Sequence, residues 1–124
     1  LAGRLASTPS PAWIASGTSD AVRRAIDATE STLAEAADFD AIARAARMSP
    51  RTLARRFADE LGMSWAQARR RLRMIRASET LATTALPVTE VALSVGYASS
   101  AAFNAAFRDF AGTTPTAFRA SARP

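Results

Sequence analysis

Apolar residues recur along this chain at helical spacing, and one arrangement of them occurs twice. Ile42-Ala43, Met48, Leu53 and Phe57 are followed by Gly62; Val91-Ala92, Tyr97, Phe103 and Phe107 are followed by Gly112. The Phe57/Phe107 and Gly62/Gly112 pairs are each fifty positions apart and the Ile42/Val91 pair forty-nine, so the second copy has one extra residue in its turn. Each copy reads as a short apolar helix, a tight turn, and a second helix whose apolar residues fall four apart. The pattern predicts an all-α protein carrying two helix-turn-helix units, one over about 39–61 and one over about 88–111. A duplicated groove-reading unit implies a duplex with two neighbouring grooves.

The intervening segments also read as helices. Ser19 or Asp20 starts a helix running to about Ala36, with Val22, Ile26 and Leu33 as its apolar stripe. Asp38 or Asp40 opens the first unit. Within it, Ser49 is an N-cap and Pro50 suits the first helical position, where its missing N–H has no intrahelical partner to lose. The helix from Pro50 to Glu60 then places Leu53 and Phe57 on one side and Arg51 and Arg55 on the other, with Thr52 and Asp59 beside them. After Gly62, Ser64 caps a long linker helix over about 65–85, whose stripe of Trp65, Leu72, Met74, Ala77 and Leu81 reads as core. Pro87 interrupts the chain, Thr89 is the expected cap of the next helix, and Gly96 occupies a turn position suited to positive φ. Arg47 stands at the matching point of the first copy; in that conformation it bears a strain of about 1 kcal/mol that a phosphate contact offsets. From Ser99 the last recognition helix presents Ala101, Ala105 and Arg108 opposite Phe103 and Phe107, with Asn104 at the edge.

Residues 1–18 break the pattern. The run Ser7-Thr8-Pro9-Ser10-Pro11 reads as a linker or irregular arm, and Trp13 and Ile14 give it something apolar to dock with. With no initiator Met, the arm is expected to follow a missing N-terminal domain.

Charge turns the helical reading into a nucleic-acid reading. The net charge is +5, yet the segment from Arg44 to Arg76 alone holds ten arginines against Asp59 and Glu60. There is no lysine, which favours bidentate contacts to guanine edges or phosphates over diffuse charge. The major groove admits one α-helix, and arginine pairs with guanine O6 and N7, so Arg51 and Arg55 are the leading base-reading candidates. Arg56 lies to the side, at phosphate height. Asn104 suits adenine, and the methyls of Ala101 and Ala105 suit thymine. Ser49, Ser99 and Arg108 join Arg47 and Arg56 as phosphate-contacting candidates. The arginines at 69, 70, 71, 73 and 76 wrap most of the way round the linker helix; some are expected to pair with acids or stay in water.

Composition removes other classes. No cysteine and no histidine means no disulfide, no thiolate and no imidazole, and no carboxylate pair is clustered for acid/base work, so no enzyme activity and no cofactor are expected. No apolar run approaches the roughly 20 residues that span a bilayer, which points to a cytoplasmic protein without membrane contact. The rival readings are a helical protein-interaction module with an Arg-rich face and a non-specific nucleoid-type DNA binder.

These residues resemble the C-terminal DNA-binding domain of AraC/XylS-type bacterial transcription regulators. Val91-Ala92, Val95-Gly96-Tyr97, Phe103, Phe107-Arg108, Gly112-Thr113-Thr114-Pro115 and Phe118-Arg119 look like that family's signature. Ser49, Leu53, Arg55-Arg56-Phe57, Gly62-Met63-Ser64, Arg73-Met74 and Ala77 match its first half. The resemblance spans roughly Asp20 to Arg119. It implies about seven helices in two helix-turn-helix lobes joined by the long helix. Base-facing roles are implied for Arg51, Thr52, Ala54 and Arg55 in the first lobe, and for Ser100, Ala101, Asn104 and Ala105 in the second. Double-stranded DNA is the implied partner, with RNA polymerase and an upstream effector-binding or dimerisation domain as further ones. The sequence departs from the family pattern at Ala68, where a large aromatic is usual, at Arg47, where glycine is usual, and at Ala101-Ala102, where a more polar or aromatic pair is usual.

Overall fold

Each described helix but one begins where a short polar side chain accepts a first-turn N–H that has no intrahelical partner. The computed structural model describes residues 18–122, and these form seven helices. The N-terminal arm, with Trp13 and Ile14, lies outside the described residues. In α1 (Asp20–Glu30) the Ser19 hydroxyl accepts from the Val22 N–H at 3.3 Å, and the Ser19 N–H donates to Glu60 Oε1 at 2.7 Å. The helix stops six residues short of the expected Ala36. The Ser31 and Thr32 hydroxyls donate to the Ala28 carbonyl at 3.0 and 2.8 Å and compete with the backbone for the last turn. Residues 31–36 continue as turns, with Leu33 still buried.

In α2 (Phe39–Ala45) the cap is Asp38, which accepts from the Ala41 N–H at 2.8 Å. Its C-terminus closes on Arg47 at φ 61, the Arg47 N–H donating to the Arg44 carbonyl and the Met48 N–H to the Ala43 carbonyl, both at 3.0 Å. This is the double bond pattern of a Schellman end, which calls for a left-handed residue. The second copy repeats it: Gly96 has φ 90, its N–H donates to Leu93, and the Tyr97 N–H donates to Ala92.

Ser49 and Ser99 cap α3 (Pro50–Leu61) and α6 (Ser100–Ala111), each hydroxyl accepting an N–H at 3.2 Å, and Gly62 and Gly112 end them in the left-handed region. The extra residue of the second turn is taken up between Gly96 and Ser99. In α4 (Trp65–Thr83) Ser64 and Gln67 form a reciprocal capping box. This helix ends two residues before the expected Ala85, as Thr84 turns extended ahead of Pro87. Thr89 is not the cap of α5 (Val88–Ser94): Pro87 precedes that helix, and its carbonyl accepts from Glu90 and Val91. Last, α7 (Pro115–Ala122) starts at Thr114, whose hydroxyl accepts from Ala117 at 3.1 Å.

Two cores share α4. Ala68 and Leu72 join Val22, Ile26, Leu33, Ile42, Leu53 and Phe57 in the first; Met74, Ala77 and Leu81 join Val91, Val95, Phe103 and Phe107 in the second. Trp65 is half-buried against the first and spends its indole N–H on the Thr29 hydroxyl at 2.9 Å. The second core is an aromatic cluster in which Phe107 meets Phe103 at 5.7 Å and Phe118 at 5.4 Å between ring centroids. Because neighbouring turns of one helix belong to both cores, α4 carries the two lobes as a single frame.

Candidate nucleic-acid interface

With Leu53 and Phe57 fully buried, the geometry of α3 leaves Arg51, Ala54 and Arg55 exposed on its far side. Neither Arg51 nor Arg55 makes a hydrogen bond or ion pair among the described residues, so both guanidiniums keep all their donors. Thr52 is half-buried beside them. Its oxygen accepts from the Ser49 hydroxyl at 2.9 Å, while that hydroxyl accepts the Thr52 N–H, which fixes both side chains at the start of the helix. Arg56 is drawn sideways to Glu60 at 3.6 Å, and Glu60 also receives Ser19, so Arg56 is oriented by the junction of α1 and α3. Arg47 is exposed on the strained turn ahead of Ser49.

The second lobe repeats this geometry with different chemistry. Phe103 and Phe107 are buried; Ala101, Asn104, Ala105 and Arg108 are exposed and Ser100 is half-buried. Asn104 has no hydrogen-bond partner among the described residues, so its amide is available in both directions. Apart from Asn104 and the Ser100 hydroxyl, the face between them is methyl. The first lobe therefore holds most of the charge and hydrogen-bonding capacity, Arg108 being the one cation on the exposed side of α6.

Between the lobes lies a groove of about 530 Å³, lined among others by Met63, Arg70, Arg71, Met74, Asp109 and Phe110. Arg70 is exposed there. Two of the five linker-helix arginines behave in a way sequence reasoning missed: rather than acids or water, they take backbone carbonyls. Arg69 donates to Glu35 O at 2.7 Å and lies 5.4 Å from the Trp65 ring; Arg73 donates twice to Leu33 O. Burial raises the Glu30 carboxyl above the ordinary range, Asp27 and Glu79 reinforcing the shift and Arg76 opposing it. No helix among the described residues is long and apolar enough to cross a membrane.

Two capped helices of one design, each with its apolar side inward and its polar or small side outward on a common frame, define a double helix-turn-helix domain. A family model described as a helix-turn-helix domain matches residues 42–121. The transcriptional regulator VqsM of Pseudomonas aeruginosa is 39% identical over 75 residues, covering 60% of this chain and 23% of VqsM. GlxA of Rhizobium meliloti is 31% identical over 94 residues, 76% of this chain and 29% of GlxA. The chain thus spans about a quarter of the length of these two regulators. Among solved structures, an AraC-type DNA-binding domain-containing regulator from Chromobacterium violaceum superposes with a TM-score of 0.79 at 27% identity, over 82% of this chain and 91% of that one. The DNA-binding domain of AdpA, solved in complex with a target DNA, gives 0.74 at 33% identity, over 83% and 93%. The chain belongs to the AraC-type helix-turn-helix family, and is a DNA-binding domain of a bacterial transcription regulator.

Proposed function

We propose that this domain reads a specific, asymmetric sequence in double-stranded DNA by laying α3 and α6 in two successive major-groove segments about one turn, roughly 10 base pairs, apart. The observation that carries this reading is the repeated pair of capped helices on a shared α4, with Arg51 and Arg55 unpaired on the outer face of the first. Arg51 and Arg55 take guanine edges, with Thr52 and Ala54 between them. In the second segment Asn104 takes adenine, Ala101 and Ala105 meet thymine methyls, and Ser100 donates from the helix start. Arg47, Ser49, Arg56, Ser99 and Arg108 hold phosphates, the two serines standing where helix N-termini favour an anion. In the full-length regulator, an upstream effector-binding or dimerisation domain controls this module, and RNA polymerase is its protein partner. Selection from a random duplex pool tests the reading: recovery of one asymmetric motif in two blocks supports it, and recovery of unselected sequence at equal affinity refutes it.

A further inference from the structure

Where the two cores meet on α4, Leu72 belongs to the first and Met74 to the second, which leaves Arg73 on the seam. From there its guanidinium donates through Nε at 3.2 Å and Nη2 at 3.0 Å to the carbonyl of Leu33, in the turns that follow α1. The same group stands 5.6 Å from the centroid of the Tyr97 ring, in the turn between α5 and α6. Gly96, next to Tyr97, closes the junction. A Cβ at Gly96 would collide with the Leu33 carbonyl oxygen and lie 2.6 Å from Arg73 Nη2 and 2.9 Å from its Cζ. First-lobe backbone, linker guanidinium and second-lobe backbone are thus stacked with no space for a methyl group. Burial, and Arg69 close by, lower the Arg73 pKa while Tyr97 opposes them, but a guanidinium stays charged throughout the physiological range.

Apolar packing of each lobe on α4 is non-directional. The Arg73 contacts are directional and join atoms of both lobes at once. We propose that Arg73, wedged between Leu33 O and Gly96, is a positioning residue that fixes the rotation of the second helix-turn-helix relative to the first, and so sets the spacing between the two DNA segments the domain accepts. This rests on the two-segment reading above.

One base pair of spacer moves the second segment by about 3.4 Å and about 35°, so tolerance of spacer length measures the stiffness of the junction. The test compares the parent domain with Arg73→Met, which keeps the apolar stem and loses the donors, on the selected duplex and on duplexes with one base pair inserted or deleted between the blocks. The parent should lose at least about tenfold in affinity per altered base pair, and Arg73→Met about threefold or less, because a loose second lobe follows the displaced segment at lower effective concentration. Arg73→Lys, with one ammonium for Leu33 O and no plane for Tyr97, should fall between them. A readout independent of DNA comes from spin labels at Asp59→Cys and Asp109→Cys, both exposed, in a chain with no other cysteine. Their distance distribution should be broader in Arg73→Met than in the parent.

A parent-like spacer penalty together with a parent-like distance distribution in Arg73→Met overturns the proposal. A parent protein indifferent to spacer length refutes the two-segment reading instead, and the label distances alone then decide whether Arg73 fixes the lobes. Should Arg73→Met fail to fold by circular dichroism, Arg73→Lys and Arg73→Gln carry the same two comparisons.

Discussion

Replacing Arg47 by glycine should stabilise the domain while weakening its hold on DNA. Arg47 sits at φ 61, in the left-handed region, because the Schellman end of α2 needs it there. A non-glycine residue pays about 1–2 kcal/mol for that conformation. Glycine removes this cost but adds about 0.4–1 kcal/mol of unfolded-state entropy to be lost on folding. The Arg47 side chain is exposed and has no partner among the described residues, so no contact offsets the change. The net gain is about 1 kcal/mol, or a rise in melting temperature of roughly 3–5 °C for a domain of this size. If Arg47 holds a phosphate, its loss also lowers the slope of log affinity against log salt by about 0.9. Thermal melts by circular dichroism and anisotropy titrations at several salt concentrations measure both. An unchanged or lower melting temperature refutes the strain; an unchanged salt slope refutes the phosphate contact.

Gly96→Ala, at the equivalent turn of the second lobe, should act in the opposite direction and cost more than about 2 kcal/mol in chemical denaturation, since the left-handed strain is joined by a collision with the Leu33 backbone; a variant as stable as the parent would show that the junction is loose. Arg55→Ala should weaken binding to the selected duplex by about 1–3 kcal/mol and relax preference at one base pair, whereas Arg70→Ala should weaken all duplexes alike and lower the salt slope by no more than about one. Equal losses for Arg55→Ala on specific and scrambled duplexes would make Arg55 a backbone contact. Glu30→Gln should stabilise the domain at pH 7 and leave it unchanged near pH 3. The folded state binds this proton more tightly than the unfolded state, so ionisation of Glu30 costs stability as pH rises from the unfolded carboxyl value through the raised folded one. An equal effect at both pH values would mean that the gain does not come from the charge.

The local signals in the chain account for most of the frame. Ser19, Asp38, Ser49, Ser64 and Ser99 all cap where short hydroxyl or carboxylate side chains precede an apolar period, and the fifty-residue offset between Phe57 and Phe107 carries both α3 and α6. Three helix ends depart from the expected bounds, α4 by two residues at Thr83 and the other two for local reasons. Ser31 and Thr32 bond back to Ala28 and close α1 early, although Leu33 remains in the core, so periodicity alone suggested a longer helix. Pro87 leads α5 without a side-chain cap, and Thr89 is the second residue of that helix. For the site, the outward placement of Arg51 and Arg55 follows from helical spacing against two buried neighbours. The fate of Arg69 and Arg73 was not legible, because their acceptors are the Leu33 and Glu35 carbonyls about forty and thirty-four residues away, and backbone acceptors leave no mark in a sequence.

The most direct test of the central claim is chemical footprinting of the isolated domain on a duplex selected for tight binding. Two protected major-groove segments about one helical turn apart on one face of the duplex, unrelated by two-fold symmetry and with guanine contacts in the segment read by α3, are the predicted result. One protected segment, or a two-fold symmetric site for this chain alone, would contradict the account.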